Sequence, residues 1–103
     1  MAVLEVLKGK NPGQLIEVQS ERTVFGRHPH CQVVLENAAV SRYHTQIVDA
    51  HGDFIIEDLR SRNGTHVNET QVDGRQKLAN GDVIRVCDFS FRFLLNPPSD
   101  SKL

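Results

Sequence analysis

Phe89-Ser90-Phe91-Arg92-Phe93, near the C-terminus, alternates aromatic and polar side chains. Successive side chains of a β-strand point to opposite faces of the sheet, so the three rings share one face and the polar groups share the other. The pattern therefore predicts a strand whose aromatic face anchors a hydrophobic core.

Shorter alternations of the same kind recur along the chain, and helical periodicity is almost absent. They fall at residues 3–7, 15–18, 23–25, 33–35, 45–48, 54–57 and 83–86. Turn residues that adopt positive φ at little cost separate them, at 11–13, 51–52, 63–64, 73–74 and 80–82. This spacing predicts an all-β sandwich of about ten to eleven mostly antiparallel strands. Such close spacing leaves little room for a buried cofactor, so we expect no cofactor and a functional site on loops at one end.

The size and composition fit a single globular domain, which we place at residues 1–95. The chain has 103 residues, of which 39% are hydrophobic and 24% are charged. A length of this order supports one core without metals or disulfides. The formal net charge is -1 and the pI is near 6.5. Because polyanion binding depends on an extended basic face, these values argue against a nucleic-acid partner.

The cysteines and the ends of the chain bear on location. Cys31 and Cys87 lack metal-ligand spacing, so we predict free thiols, with a bridge between them as the alternative. No apolar run reaches the roughly 18 residues of a membrane helix, and the start lacks a signal pattern. We therefore expect no membrane contact and an intracellular, by default cytoplasmic, location. Residues 96–103 form a polar tail or linker that suggests a longer protein, and its final Ser-Lys-Leu can alternatively act as a peroxisomal address.

Three short segments between predicted strands carry the functional signal. They are residues 26–27 (Gly-Arg), 41–44 (Ser-Arg-Tyr-His) and 61–68 (Ser-Arg-Asn-Gly-Thr-His-Val-Asn). Each sets an arginine or a serine among Gly, Asn and His, and no Asp or Glu interrupts residues 26–30, 41–44 or 60–66. Donors without competing carboxylates suit an oxyanion, so the segments predict a phosphate-binding site.

In order and spacing these segments resemble the forkhead-associated (FHA) domain, and the resemblance covers nearly the whole chain. It extends to Asp58-Leu59, Leu78, Gly81-Asp82 and the final aromatic strand. It implies an FHA-type β-sandwich module that binds a threonine-phosphorylated protein or peptide and mediates phosphorylation-dependent signalling between proteins. We expect the isolated domain to be monomeric.

Four residues are expected to contact the phosphate. Arg27 can give phosphate oxygens two parallel, charge-assisted hydrogen bonds. The resemblance implies that Ser41 also contacts the phosphate, through its hydroxyl and its backbone N–H. Arg42 is expected to add a second cation or to contact the adjacent peptide. Arg62 is expected to reach the phosphate through its side chain or its backbone N–H.

Two asparagines are expected to contact the peptide itself. The resemblance implies that the Asn63 side-chain amide binds the peptide backbone beside the phosphorylated residue. Asn68 is expected to make a further contact of this kind or to support the loop.

The remaining residues of the segments are expected to shape the site. Gly26 is expected to permit a turn that aims Arg27. The resemblance implies that His44 holds the binding loops together by hydrogen bonds. Gly64 belongs to an Asn-Gly turn, and Thr65 is expected to brace the loop through its hydroxyl.

Two other functions fit the sequence less well. An FHA-like scaffold for protein contacts or dimerisation, without phosphate binding, is the main alternative, but the joint presence of Arg27, Ser41 and Asn63 argues against it. An enzyme would need a nucleophile paired with a base, which the sequence does not offer. The histidines lack the carboxylate or cysteine spacing of a metal site. We therefore predict neither catalysis nor a metal.

Overall fold

In the computed structural model, which describes residues 2–19 and 21–95, the chain forms eleven β-strands. They are β1 (Val3–Lys8), β2 (Leu15–Glu17), β3 (Arg22–Gly26), β4 (Val33–Val34), β5 (Thr45–Ala50), β6 (Asp53–Asp58), β7 (His66–Val67), β8 (Thr70–Gln71), β9 (Arg75–Lys77), β10 (Val83–Val86) and β11 (Phe89–Leu94). This part of the chain contains no helix that could cross a membrane. The predicted tail at 96–103 and its Ser-Lys-Leu lie outside the described residues.

The strands form two sheets, which confirms the predicted all-β sandwich. Sheet 1 has the strand order β2-β1-β11-β10-β7-β8, and sheet 2 has the order β4-β3-β5-β6-β9. Neighbouring strands are antiparallel, except that β3 pairs with β4 in parallel.

The predicted aromatic strand is β11, and it joins the two sheets. It lies between β1 and β10 in sheet 1. Phe91 and Phe93 are 2% and 0% exposed. Their ring centroids each lie 5.4 Å from a ring on sheet 2, Phe91 from Phe25 and Phe93 from Phe54. Phe89 packs against the edge of the same core, so the three rings share one face as predicted.

Turn chemistry was predicted more completely than the strands. All five predicted turns contain a glycine with positive φ, namely Gly13, Gly52, Gly64, Gly74 and Gly81. The strand at Val83–Val86 has the predicted bounds, whereas β7, β8 and β9 were not predicted individually. These three strands have only two or three residues each, too few for an alternation to stand out.

Strand pairing brings three loops to one end of the sandwich. Strand β5 pairs antiparallel with both β3 and β6. The end of β3, the start of β5 and the end of β6 therefore lie side by side at the same end of sheet 2. The connections at these three points contain most of the predicted site residues.

Candidate functional site

Three loops meet at this end of the sandwich. The first loop (27–32) follows β3, the second loop (35–44) precedes β5, and the third loop (59–65) follows β6. The Arg27 N–H donates to the Ser41 carbonyl oxygen and the His28 N–H to the Arg42 carbonyl oxygen, each at 3.1 Å. The Arg62 N–H donates to Ser41 Oγ at 3.0 Å and so joins the third loop to the second. The segments predicted to act together are therefore adjacent.

Gly26, the last residue of β3, allows a close approach of the second loop. A Cβ atom at this position would overlap the Arg42 carbonyl oxygen and lie 2.8 Å from the carbonyl carbon. Gly26 is not among the residues with positive φ. Glycine is therefore required here by backbone contact rather than by a turn that aims Arg27, which corrects the expectation from the sequence.

The Arg27 side chain is exposed, but one hydrogen bond fixes its guanidinium at Nε. Nε donates to the Val40 carbonyl oxygen at 3.0 Å. A guanidinium has five N–H donors, and the four on the terminal nitrogens donate to no acceptor within the described residues. A fork anchored in this way can give a phosphate two parallel hydrogen bonds with little further loss of side-chain freedom.

Ser41 is half-buried, and its backbone N–H is bonded within the loops. The N–H donates to His44 Nδ1 at 3.1 Å, and Oγ accepts the Arg62 N–H at 3.0 Å. In this structure both backbone N–H groups bond within the loops, and the phosphate contacts expected of Ser41 and Arg62 stay predictions. The Ser41 hydroxyl hydrogen and the exposed Arg62 guanidinium remain as donors.

The three loops carry exposed positive charge. Their arginines are Arg27, Arg42, Arg60 and Arg62, all exposed. Within the described residues, the ion pairs join Lys77 to Asp53 and Arg85 to Glu69. No carboxylate in this part of the chain therefore neutralises a loop arginine. The result is a local cationic site on a chain whose formal net charge is -1.

His44 connects the loops from beneath, and it is 0% exposed. Nδ1 accepts the Ser41 N–H, and Nε2 lies 2.8 Å from the Gly64 carbonyl oxygen. This pattern assigns the N–H to Nε2. The His44 backbone N–H donates to the Phe25 carbonyl at 2.8 Å, and its carbonyl accepts the Leu59 N–H at 3.0 Å. Both ring nitrogens are thus occupied in holding the second and third loops together.

Asp58 is the centre of a second hydrogen-bond network, inside the third loop. Its carboxylate accepts the Ser61 hydroxyl at 2.6 Å, the Ser61 N–H at 3.1 Å and the Thr65 hydroxyl at 2.8 Å. Burial raises the pKa of the Asp58 carboxyl, but the hydrogen bonds from Ser61 and Thr65 outweigh burial and hold that pKa below its usual value. Ser61 Oγ in turn accepts the Gly64 N–H at 2.9 Å. Thr65 therefore braces the loop through its hydroxyl.

Sequence reasoning assigned no role to Asp58 or Ser61. Asp58 stands three residues before Ser61 and accepts its N–H, which is a recurrent way for an aspartate to stabilise a turn. That spacing was the available signal.

Asn63 lies on the flank of the site that faces sheet 1. Its Nδ2 donates to the Ala39 carbonyl oxygen at 2.7 Å, and the Cys87 thiol donates to the same oxygen at 3.3 Å. Burial raises the pKa of the Cys87 thiol, and a hydrogen bond from Asn63 offsets part of that rise. Asn63 Oδ1 accepts no hydrogen bond within the described residues. It is therefore positioned to accept an N–H from a bound backbone.

Asn68 does not join this cluster. Its Nδ2 donates to Asp82 Oδ1 at 2.9 Å and its Oδ1 accepts the Val83 N–H at 3.0 Å. Val83 begins β10, whereas Cys87 follows the other end of that strand, about 13 Å away at roughly 3.3 Å per residue. The structure thus favours the supporting role expected for Asn68 over the peptide contact.

The described residues offer little for catalysis or metal binding. Cys31 and Cys87 are free thiols, and burial raises the pKa of each, which disfavours the nucleophilic thiolate. No group of three or more His, Cys, Asp and Glu side chains within 2–19 and 21–95 could hold a metal ion.

The sequence model of the FHA domain matches residues 23–87, which include all three loops. This chain belongs to the forkhead-associated (FHA) family. The FHA domain is 38% identical over 99 residues to the glycogen accumulation regulator GarA of Mycolicibacterium smegmatis, covering 96% of this chain and 62% of GarA. It is 39% identical over 84 residues to the transcriptional regulatory protein EmbR of Mycobacterium tuberculosis, covering 82% of this chain and 22% of EmbR. The chain thus spans less than two thirds of each of these relatives.

Solved FHA structures superpose closely on this domain. Mycobacterium tuberculosis EmbR in complex with a low-affinity phosphopeptide matches with a TM-score of 0.89 and 36% identity, covering 95% of this chain and 25% of EmbR. A structure from a structural and functional analysis of phosphothreonine-dependent FHA domain interactions matches with a TM-score of 0.83 and 30% identity, covering 94% of this chain and 98% of that one.

Proposed function

We propose that this FHA domain binds proteins or peptides that carry a phosphorylated threonine, and so mediates phosphorylation-dependent contacts between proteins. The observation that carries the proposal is the anchored, unneutralised guanidinium of Arg27 beside the Ser41 hydroxyl, on loops fixed by His44. Similar FHA structures include a complex with a phosphopeptide, which supports the same ligand class here.

Different residues of the site bind different parts of the ligand. Arg27 and Ser41 bind the phosphate, and the exposed guanidinium groups of Arg42 and Arg62 add charge around it. Asn63 binds the peptide backbone next to the phosphothreonine through Oδ1. Because the loops are already joined by hydrogen bonds, little conformational entropy is lost when the ligand is bound.

The phosphate supplies much of the affinity but not a large excess. A hydrogen bond to a charged group contributes roughly 1.5 to 3 kcal/mol, so three or four contribute about 5 to 12 kcal/mol. Association costs roughly 4 to 15 kcal/mol. We therefore expect a dissociation constant around micromolar, equivalent to about 8 kcal/mol, and almost no binding without the phosphate.

Isothermal titration calorimetry tests this proposal. A peptide selected from an oriented phosphothreonine library is compared with the same peptide carrying phosphoserine or unmodified threonine. The phosphothreonine peptide should bind at micromolar concentration and the unmodified peptide should not bind measurably. Equal affinity for the modified and unmodified peptides would refute phosphate recognition.

The preference for threonine depends on one methyl group. Simple transfer of a methyl from water contributes about 0.8 kcal/mol, roughly fourfold in affinity, and a fitted pocket can raise a difference of this size to about 1 to 3 kcal/mol. The phosphoserine peptide should accordingly bind at least about fourfold more weakly. Equal binding of the two phosphopeptides would remove the threonine preference while leaving phosphate recognition in place.

We further propose that the domain is not an enzyme, since both thiols are disfavoured as nucleophiles and both ring nitrogens of His44 are occupied. Incubation with the phosphopeptide should release no inorganic phosphate.

The two free thiols fit a reducing, intracellular compartment. We also propose that residues 1–95 form the folded unit and that residues 96–103 are a linker.

A further inference from the structure

A groove of about 480 Å³ runs along the outer face of sheet 2. The residues that line it include Arg22, Val24, His30, Tyr43, Gln46 and Leu59. A smaller cavity of about 80 Å³ lies near the β1–β2 connection, and none of the predicted phosphate or peptide contacts line it.

The larger groove opens directly from the phosphate site. His30 belongs to the first loop, Tyr43 to the second and Leu59 to the third, so each loop contributes one lining residue. Tyr43 immediately follows Arg42, whose guanidinium is exposed at the site. An extended ligand held at Arg27 can therefore continue into the groove without crossing the sandwich.

The end of the groove next to the loops carries an exposed aromatic ring. Tyr43 is 47% exposed, one of three large hydrophobic side chains so exposed among the described residues. Its ring stacks on His28 with centroids 5.1 Å apart and an interplanar angle of 24°. The His30 N–H donates to His28 Nδ1 at 3.0 Å, a hydrogen bond within the first loop. An exposed but fixed aromatic ring is a favourable contact for an apolar side chain.

The far end of the groove is positively charged. Arg22 lies four residues before Gly26 on β3, about 13 Å away at roughly 3.3 Å per residue. Its Nη1 is 3.5 Å from Gln46 Oε1, a weak hydrogen bond. Gln46 Nε2 also donates to Glu57 Oε1 at 2.9 Å. No Asp or Glu lines the groove itself.

We propose that this groove binds a segment of the phosphorylated partner on one side of the phosphothreonine, opposite the side held by Asn63. Asn63 contacts the flank that faces sheet 1, whereas the groove lies on sheet 2. The segment is extended and carries an apolar or aromatic side chain against Tyr43 and Leu59. An Asp or Glu about four residues from the phosphothreonine then faces Arg22, because about 13 Å accommodates four extended residues. This inference rests on the proposed phosphothreonine binding.

The test compares three phosphothreonine peptides by calorimetry. The short peptide has three residues on each side of the phosphothreonine. The other two add residues on the N-terminal or the C-terminal side, with Phe two residues and Glu four residues from the phosphothreonine on the extended side. One of the two extended peptides should bind about tenfold more tightly than the short one, which corresponds to about 1.4 kcal/mol.

Substitution at Arg22 identifies the groove as the source of that gain. Arg22→Gln should weaken the favoured extended peptide by about two- to fivefold, the range expected of an exposed ion pair, and leave the short peptide unchanged. Arg22→Glu should prefer a peptide with Lys in place of the Glu. Arg92→Gln, an exposed arginine on sheet 1, is the matched control and should alter neither affinity.

The outcomes separate the proposed function, the groove and the Arg22 contact. If the short peptide fails to bind, the proposed function falls and this inference falls with it. If the short peptide binds and neither extension tightens binding, the groove proposal alone is wrong. If an extension tightens binding equally in Arg22→Gln, the acidic contact with Arg22 is refuted.

Discussion

The interior between the sheets and the polar network beneath the three loops are both buried, but different forces hold them together. The interior consists of apolar side chains such as Phe25, Phe91 and Phe93, whose burial is non-directional. The network contains His44 and Thr65, and every buried side-chain nitrogen and oxygen of the described residues has a hydrogen-bond partner. Directional bonds fix where each loop lies. We therefore expect the interior to supply most of the stability and the network to set the geometry of binding.

The largest effect on stability is expected from Phe93→Ala in the interior. Phe93 is 0% exposed and packs on Phe54, so the cavity should lower the free energy of unfolding by about 3 to 5 kcal/mol. Urea unfolding measures this change, and calorimetry on the folded variant should give an unchanged phosphopeptide affinity. The control is Leu15→Ala, at an exposed position, which should cost less than about 0.5 kcal/mol. Equal losses for the two variants would show that the interior is not the source of stability.

His44→Ala should lower both the free energy of unfolding and the phosphopeptide affinity. It leaves the Ser41 N–H and the Gly64 carbonyl without their partner, which should lower the free energy of unfolding by about 2 to 3 kcal/mol. Because the second and third loops lose their link, phosphopeptide affinity should fall at least about tenfold, or 1.4 kcal/mol. His51→Asn, in an exposed turn with positive φ, is the control and should change neither. Unchanged affinity in His44→Ala would contradict the role given to the network.

Asp58→Asn should change how the free energy of unfolding depends on pH. The pKa of Asp58 is lowered in the folded state, so its ionised form stabilises the fold above the unfolded value of about 3.9. This contribution disappears as pH falls through the lower, folded pKa. The variant should therefore be less stable than the parent by about 1 kcal/mol at pH 7, and the difference should shrink below about pH 4. Urea unfolding at pH 7 and pH 3 measures it, and a difference that widens in acid would be inconsistent with the assignment.

The smallest effect is expected at Arg60, which adopts a left-handed backbone conformation with φ of 56°. Glycine adopts this conformation without the steric cost that an arginine bears. Arg60→Gly should therefore raise the free energy of unfolding by up to about 1 kcal/mol. Arg75→Gly, in a strand, should lower it instead. A destabilised Arg60→Gly would mean that its side chain holds the third loop in place.

The sequence predicted the interior well because alternation reports burial directly. The rings of Phe89, Phe91 and Phe93 occupy the predicted face, and the five predicted turns each hold a glycine with positive φ. The strands β7 to β9 escaped individual prediction because two or three residues show no period. Positive φ at Arg60 and Cys87 also gave no signal, since these residues do not favour it.

The residue types of the site were predicted, together with the loop-joining role of His44 and the bracing role of Thr65, but most of the individual contacts were not. Arg27, Ser41 and Asn63 lie on adjacent loops as expected from the resemblance. The sequence could not show that the Ser41 N–H is bonded to His44, or that Gly26 serves close contact with Arg42. Such facts depend on how loops from distant parts of the chain approach one another, which local patterns do not encode.

The most direct test of the account is the affinity of Arg27→Ala for a phosphothreonine peptide, measured by calorimetry beside the parent. Thermal unfolding of both proteins checks that the fold is retained, and Arg92→Ala on sheet 1 serves as the matched arginine control. Loss of the charge-assisted hydrogen bonds should weaken binding by at least about tenfold, with little change in Tm. Arg27→Ala that binds the phosphopeptide as tightly as the parent would contradict the central claim.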